Sequence, residues 1–447
     1  MEIDGPGYDE TIRDTCYCHR CNSLVIDSDN GTLPHVSGFG IDSRTVTGNT
    51  QSGMTLSPAA CARLSVSYRE LIGIPLTPDV HEWYRRMAAE HRIYRDEQRS
   101  AWLVFRYSDV QQVMLDPATF SSQRILNPDG SVGETATFLA LDPPRHRQLR
   151  SLVAQAFTQR RVAALESRIR EITNAILKGF EDETTVDIIA RLAFPLPVTV
   201  IAYLLGVPPE DVDEFRSWTA DLVGLDYGRR MQAFGQFGQY FDELVARRAR
   251  SPEEDLISDL VRVEVDGARL DRRDIVSTCT LLLVAGHETT TSLVGTTLWC
   301  LEEHPEVRAE AISHSECLAG AIEETLRTRG VIHFMPRVVT RDLRFLGADL
   351  REGDLVLPLF AAANLDPDEF PKPECFDPRR TANRHLGFGY GIHLCLGASL
   401  ARLEARIALG QLFERFPQIR RDESRSLRLR PSYFVYSLDE YCVRLAS

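Results

Sequence analysis

One cysteine in this chain of 447 residues stands where a thiolate could be held against a metal. Cys395 lies in the run Phe388-Gly389-Tyr390-Gly391-Ile392-His393-Leu394-Cys395-Leu396-Gly397. A helix is expected directly after it, because Leu400, Leu403 and Ile407 recur at spacings of three and four. Backbone N–H groups without intrahelical partners would point at the sulfur there. The positive end of the helix dipole would favour the ionised thiol, which is the metal-binding species. Gly391 and Gly397 lack a β-carbon and would let a flat macrocycle lie close to the backbone, with Phe388 packing its ring against the loop. With no second cysteine beside Cys395, zinc and iron–sulfur ligation are disfavoured.

A second constellation is Ala285-Gly286-His287-Glu288-Thr289-Thr290, inside an apolar segment from Ile275 to Trp299 that follows the helix-starting Asp271 to Asp274. A glycine within a helix costs roughly 1 kcal/mol relative to alanine, so Gly286 predicts a bend or the close approach of something flat. Glu288 and Thr289 supply an acid and an alcohol side by side, which is what delivering two protons to dioxygen requires. Further along, Glu324 and Arg327 stand three apart and share a helix face. His146 and Arg150, four apart, do the same at the start of another expected helix.

The pattern Phe-x-x-Gly-x-His-x-Cys-x-Gly, filled by Phe388, Gly391, His393, Cys395 and Gly397, resembles the heme-binding loop of the cytochrome P450 superfamily. The resemblance runs from about Leu71 to the C-terminus with its motifs in the family's order, and it resembles the soluble, bacterial-type branch. It implies a mainly α fold, a large helical domain with a smaller β-rich portion, with heme b between the long central helix and the cysteine-loop helix. Cys395 would be the axial thiolate, supplying the electron push that favours O–O cleavage. Ala285 and Gly286 would face the heme, Thr289 would hydrogen-bond the dioxygen being reduced, and Glu288 would relay protons from solvent. Glu324 and Arg327 would join an arginine of the later meander, Arg379 or Arg380, to hold the core beneath the cofactor. The heme carboxylates need cations or donors, and the resemblance assigns His146, Arg150, Arg337 and His393 to them.

Two segments depart from the family. Thr328-Arg329-Gly330-Val331-Ile332-His333-Phe334 replaces a stretch that usually carries an aromatic residue and Pro-Pro, and Leu365 stands where a basic residue is common.

The implied activity is that of a heme-thiolate monooxygenase. It would insert one oxygen atom of O2 into a small, largely apolar organic substrate, with electrons from a ferredoxin or flavodoxin served by an NAD(P)H-dependent reductase. A peroxide-driven peroxygenase or a heme-thiolate isomerase or dehydratase is the alternative, then a non-catalytic heme sensor. The intact Glu288-Thr289 pair argues against both. The pocket is expected from residues 122–139, the Leu281 to Ala285 face, Val331 to Phe334 and the turn near Phe434, with His333 orienting a polar substituent.

The elements that must position these groups are legible around them. Pro78 to Glu90 reads as a helix, Ala101 to Phe105 as a strand and Ser108 to Leu115 as a helix. Arg145 to Leu326 is mostly helical, and Arg337 to Leu359 supplies short strands. Residues 1–68, rich in Gly, Ser, Thr, Asp and Asn, read as a disordered extension, and Met54 as an alternative start. Residues 69–447 read as one domain. Cys16, Cys18 and Cys21 are too cramped for a paired zinc site, and scattered cysteines without an export signal read as reduced thiols. No apolar run nears the roughly 20 residues that span a bilayer. With no signal segment either, a cytoplasmic monomer is expected. A net charge of −13 without a basic block argues against nucleic acid. Arg145, Arg147, Arg402 and Arg406 are expected on the cysteine side, where an acidic electron carrier would dock.

Overall fold

The computed structural model describes residues 80–447 apart from 98, 124–136, 224–226, 266, 431–434 and 446–447, together with 15–18 and 23–26. The expectation of disorder for residues 1–68 lies largely outside the described residues. Two compact units divide at Met54. In the first, β1 (Thr15–Cys18) pairs antiparallel with β2 (Ser23–Ile26), with Cys16 and Cys18 on β1.

In the second unit the first described helix, α1 (Val80–Glu90), buries Val80, Tyr84 and Met87, a spacing of four and three that puts one face inward. Next come β3 (Ile93–Asp96), β4 (Ala101–Val104), α2 (Tyr107–Leu115) and β5 (Phe120–Ser121). The helical body contributes α3 (Arg145–Ala156), α4 (Pro195–Leu205), the 32-residue α5 (Arg272–Glu303) and α6 (Ser315–Thr328). After β6 (Arg337–Val339) and β7 (Leu355–Pro358), the last helix is α7 (Ala398–Arg415). The mainly α architecture with a smaller β portion is the one expected.

The chemistry of each end explains the frame. The Asp271 carboxylate accepts the Asp274 N–H at 2.7 Å, while the Asp274 carboxylate accepts the Asp271 N–H at 3.4 Å. This reciprocal cap fixes the start of α5. Every residue from Thr290 to Leu301 is buried, so the second half of α5 threads the core, where it packs against α4, α6 and α7. Beside the helices lies a five-stranded sheet of order β3-β4-β7-β6-β5, in which only β4 and β7 run parallel. Pairing of Ser121 with Val338 brings the chain after β5 next to Arg337. A second cluster of buried side chains, including Val110, Phe120, Val356 and Leu386, joins this sheet to α2 and to the start of the cysteine loop. Among the described residues no helix is long and apolar enough to cross a membrane.

Candidate functional site

The cysteine loop is closed by its own backbone. The Cys395 N–H donates to the Phe388 carbonyl at 2.9 Å, Gly389 N–H to Leu386 at 2.8 Å, and Leu394 N–H to Gly391 at 3.1 Å. The two glycines expected to admit a cofactor do different things. Gly391 has φ +71°, and a β-carbon there would lie 2.7 Å from the Met114 carbonyl oxygen, so this glycine lets the loop pass the end of α2. A β-carbon on Gly397 would meet nothing within 4 Å. Beside the sulfur, then, there is room that this chain's own atoms do not fill.

Cys395 keeps exposed surface, yet burial dominates its ionisation and pushes the thiol up from 9.0. The Gly397 backbone N–H, Arg150 and Arg402 pull the other way without overcoming it. The expected helix-end effect is therefore present and outweighed. A thiol whose ionisation burial holds back suits a metal cation, which deprotonates a coordinating thiol outright. Phe388 lies under the Arg402 guanidinium, 4.4 Å from its ring centroid. Arg402 in turn grips Glu323 through two hydrogen bonds of 2.7 and 2.8 Å.

Above the loop the four expected carboxylate-binding residues come together. The His146 and His393 ring centroids are 4.2 Å apart. Arg150 donates to the carbonyl of Leu394, the residue before Cys395. Arg337 is buried and donates to the Pro336 carbonyl at 2.9 Å. Burial, aided by the charges of Arg150 and Arg337, pushes the His146 imidazole down to about 4 and keeps it neutral at pH 7. His146 Nε2 is buried without a hydrogen-bond partner. A polar atom so placed, between two guanidiniums, fits an anionic group such as a heme carboxylate.

On α5, Ala285 is exposed, while Gly286, Glu288 and Thr289 are half-buried. At Gly286 α5 stays helical, and a β-carbon there would touch only Ile201 Cδ1, at 3.9 Å. Here the glycine leaves a shallow dip in front of Ile201. Thr289 Oγ1 donates to the Ala285 carbonyl at 2.6 Å, so its lone pairs remain available as acceptors. Glu288 Oε1 lies 4.0 Å from Arg430 Nη1; burial raises its carboxyl pKa, and Arg430 and Arg230 oppose the rise. A half-buried acid that holds its proton more tightly than usual suits proton transfer. His287, between Gly286 and Glu288 in sequence, is packing: it sits edge-on to Phe194 at 4.6 Å, and neither ring nitrogen has a hydrogen-bond partner.

Glu324 and Arg327 are fully buried and joined by two 2.8 Å hydrogen bonds. The structure resolves the third member as Arg380, whose Nε reaches Glu324 Oε1 at 3.2 Å, whereas Arg379 pairs with Glu310. Arg327 also donates to the carbonyls of Asn364, Pro373 and Cys375, tying α6 to the chain that leads into the cysteine loop.

The segment after Arg327 corrects one expectation. His333 does not face a substrate: it is fully buried, with Nδ1 2.9 Å from Tyr84 Oη and Nε2 3.1 Å from the Arg329 carbonyl. Its ring stacks on Tyr436. Within Val331 to Met335, only Ile332 and Met335 keep exposure. On α5, Leu281, Leu282 and Val284 are half-buried. Phe434 and most of residues 122–139 lie outside the described residues. Three of the arginines expected to steer a partner are already engaged, Arg145 with Asp274 at 2.6 Å, Arg402 with Glu323 and Arg406 at 3.9 Å from Glu166. Arg147 is exposed.

Sequence reasoning missed Ser122 and Asp142. The Ser122 hydroxyl lies 2.9 Å from His393 Nε2, and its N–H donates to Asp142 Oδ1 at 3.0 Å. Phe120-Ser121-Ser122 carries no pattern of its own, and only the β5–β6 pairing reveals it.

A mostly helical fold with a lone cysteine under a long helix and a cationic, histidine-rich rim defines a heme-thiolate class. The comparisons agree. Residues 211–423 match the family model Cytochrome P450. The cyclomarin C epoxidase CymV of Salinispora arenicola is 41% identical over 76% of this chain and 89% of its own length. The monooxygenase PikC of Streptomyces venezuelae is 38% identical over 84% of this chain and 91% of its own. Among solved structures, CYP109E1 of Bacillus megaterium in complex with testosterone superposes with a TM-score of 0.77 at 37% identity, covering 82% of this chain and 99% of that one. This chain belongs to the cytochrome P450 family. It is a heme-thiolate monooxygenase of the bacterial type, acting on a small organic substrate with electrons from a redox partner.

Proposed function

We propose that Cys395 is the axial ligand and that the oxidised substrate is neutral, largely apolar and of steroid size or larger. The observation that carries the ligand assignment is the open space at Gly397, two residues from the sulfur, where a β-carbon would meet nothing within 4 Å. Bound heme supplies the activation of dioxygen. His146, Arg150, Arg337 and His393 would hold its carboxylates, and Phe388 would back the loop. Glu288 holds a proton near the half-buried face of α5, and Thr289, whose hydroxyl donates to the Ala285 carbonyl, offers its oxygen as an acceptor beside it. Around that face Ile332, Met335, Leu281 and Val284 exclude water and present apolar surface to a substrate. Support for the substrate's size comes from relatives named for cyclomarin C epoxidation and erythromycin C-12 hydroxylation and from the testosterone complex.

The electron donor is a ferredoxin or flavodoxin docking on the cysteine-loop face of a monomer in the cytoplasm. There Leu115 and Leu394 are exposed, with Arg147 available to an acidic carrier. The test is the carbon monoxide difference spectrum of the reduced, heme-loaded protein beside Cys395→Ser. A strongly red-shifted Soret band that disappears in the variant supports the assignment. A band at the position of histidine-ligated heme in the unaltered protein overturns it.

A further inference from the structure

Two residues outside the expected set bear on how His393 meets the heme. Ser122 is fully buried, and among the described hydrogen bonds its hydroxyl has a single partner, His393 Nε2, at 2.9 Å. Asp142 holds this serine in place. One carboxylate oxygen accepts the Ser122 N–H at 3.0 Å, and the other accepts the Ser121 hydroxyl. Asp142 precedes Pro143 and α3, and its carbonyl accepts the His146 N–H at 3.0 Å. The same short segment therefore fixes Ser122 and the helix that carries His146 and Arg150.

A neutral imidazole has one donor and one acceptor nitrogen, and the hydrogen bond made by one decides the role of the other. A buried hydroxyl with a single acceptor in reach directs its proton there. Donated to the Nε2 lone pair, the Ser122 proton leaves the ring proton of a neutral His393 on Nδ1. With that tautomer His393 is a donor on the side away from Ser122. The opposite tautomer would present a lone pair there, which repels a carboxylate. The His146 ring, 4.2 Å away, limits rotation of the His393 plane.

We propose that Ser122, clamped by Asp142, is a positioning residue that fixes His393 as an Nδ1–H donor to a heme carboxylate. The inference rests on the reading of His146, Arg150, Arg337 and His393 as the carboxylate site. Partners that orient a metal-ligating histidine typically change metal affinity 10- to 100-fold when lost, and the low end of that range is expected for a histidine that holds a carboxylate.

The test compares the wild-type protein, Ser122→Ala and Ser122→Thr, all loaded with heme. Heme transfer to excess apomyoglobin gives the dissociation rate, and nitrogen-15 NMR of the diamagnetic ferrous carbon monoxide complex reports the His393 tautomer. Expected are an Nδ1–H signal in the wild type, about tenfold faster heme loss with a mixed or reversed tautomer in Ser122→Ala, and recovery of both in Ser122→Thr. A Ser122→Ala protein with wild-type heme retention and an unchanged Nδ1–H signal overturns the proposal. Should Ser122→Ala not fold, Ser122→Cys keeps the volume with a weaker donor, and unchanged heme retention there overturns it equally. A wild-type protein that shows no thiolate band with carbon monoxide refutes the heme-site reading itself, an outcome separate from a failure of Ser122 alone.

Discussion

Glu404 is the residue on the cysteine-loop helix whose environment is least comfortable. It is fully buried, and one of its carboxylate oxygens has no hydrogen-bond partner. Burial alone pushes its carboxyl up to about 8, so it is mostly protonated at neutral pH. A carboxyl whose folded value lies above its unfolded value binds a proton more tightly in the native state. Its contribution is whole below about pH 4.5 and is lost as the pH rises through 8. At about 1.4 kcal/mol per unit, the full swing is on the order of 5 kcal/mol. Glu404→Gln keeps the neutral shape and removes the titration. Denaturant melts of variant and wild type are expected to agree at pH 5 and to separate at pH 9, with the variant the more stable. Parallel curves across that range would show that Glu404 does not hold its proton through burial.

At the scale of elements, the cysteine loop shows why two glycines in one motif answer to different causes. Gly391 lies at positive φ against the Met114 carbonyl, so Gly391→Ala strains the backbone and collides with it. The expected loss is about 2 kcal/mol in equilibrium unfolding. Gly397→Ala meets no protein atom, so stability of the heme-free protein is expected to stay within about 0.5 kcal/mol, while heme incorporation falls, measured as heme absorbance per protein. Equal effects of the two on the heme-free protein would contradict this division. The contrast marks what was legible in sequence. Motif spacing pointed to Cys395, and the resemblance to the family offered the Glu288-Thr289 pair and the set His146, Arg150, Arg337 and His393 as candidates, because chemistry constrains such residues directly. The segments Pro78 to Glu90, Ala101 to Phe105 and Ser108 to Leu115 came close to the observed elements, because their apolar periods follow helix and strand geometry. It missed the Ile201 contact beside Gly286, the burial of His333 and the Ser122–Asp142 clamp. Each of these depends on a neighbour far away in the chain: Ile201, Tyr84 and His393.

The same logic extends to the anchoring of α6. Sequence left Arg379 and Arg380 as equals, since both follow Asp377-Pro378, and the fold separates them. Arg380 bonds Glu324 and the carbonyls of Pro371, Lys372 and Cys375, whereas Arg379 makes an exposed pair with Glu310. Arg380→Ala is expected to lower unfolding stability by roughly 1–3 kcal/mol, the range for a lost hydrogen bond to a buried charged group. Arg379→Ala should leave it unchanged. A loss in Arg379→Ala matching that in Arg380→Ala would reverse the assignment.

At the scale of the whole molecule, three buried histidines set the acid limit of stability. Burial and nearby cations push His146 down to about 4 and His287 to about 3, and burial takes His333 well below 6.5. Each is neutral in the folded protein and binds a proton at pH 6.5 once unfolded. Stability from these groups is therefore complete above about pH 6.5 and drains away as the pH falls toward 4 and then 3. His146 and His333 have other work in the site and the core, so neither isolates the effect. His287 does, because it makes no hydrogen bond and only packs against Phe194. His287→Phe keeps an aromatic edge there and has nothing to protonate. Unfolding free energies measured from pH 7.5 down to 4 should fall less steeply in the variant, with the two proteins diverging below pH 6.5. If the slopes are the same, the acid limit is set by Glu323, the carboxylate that holds Arg402, rather than by the buried imidazoles.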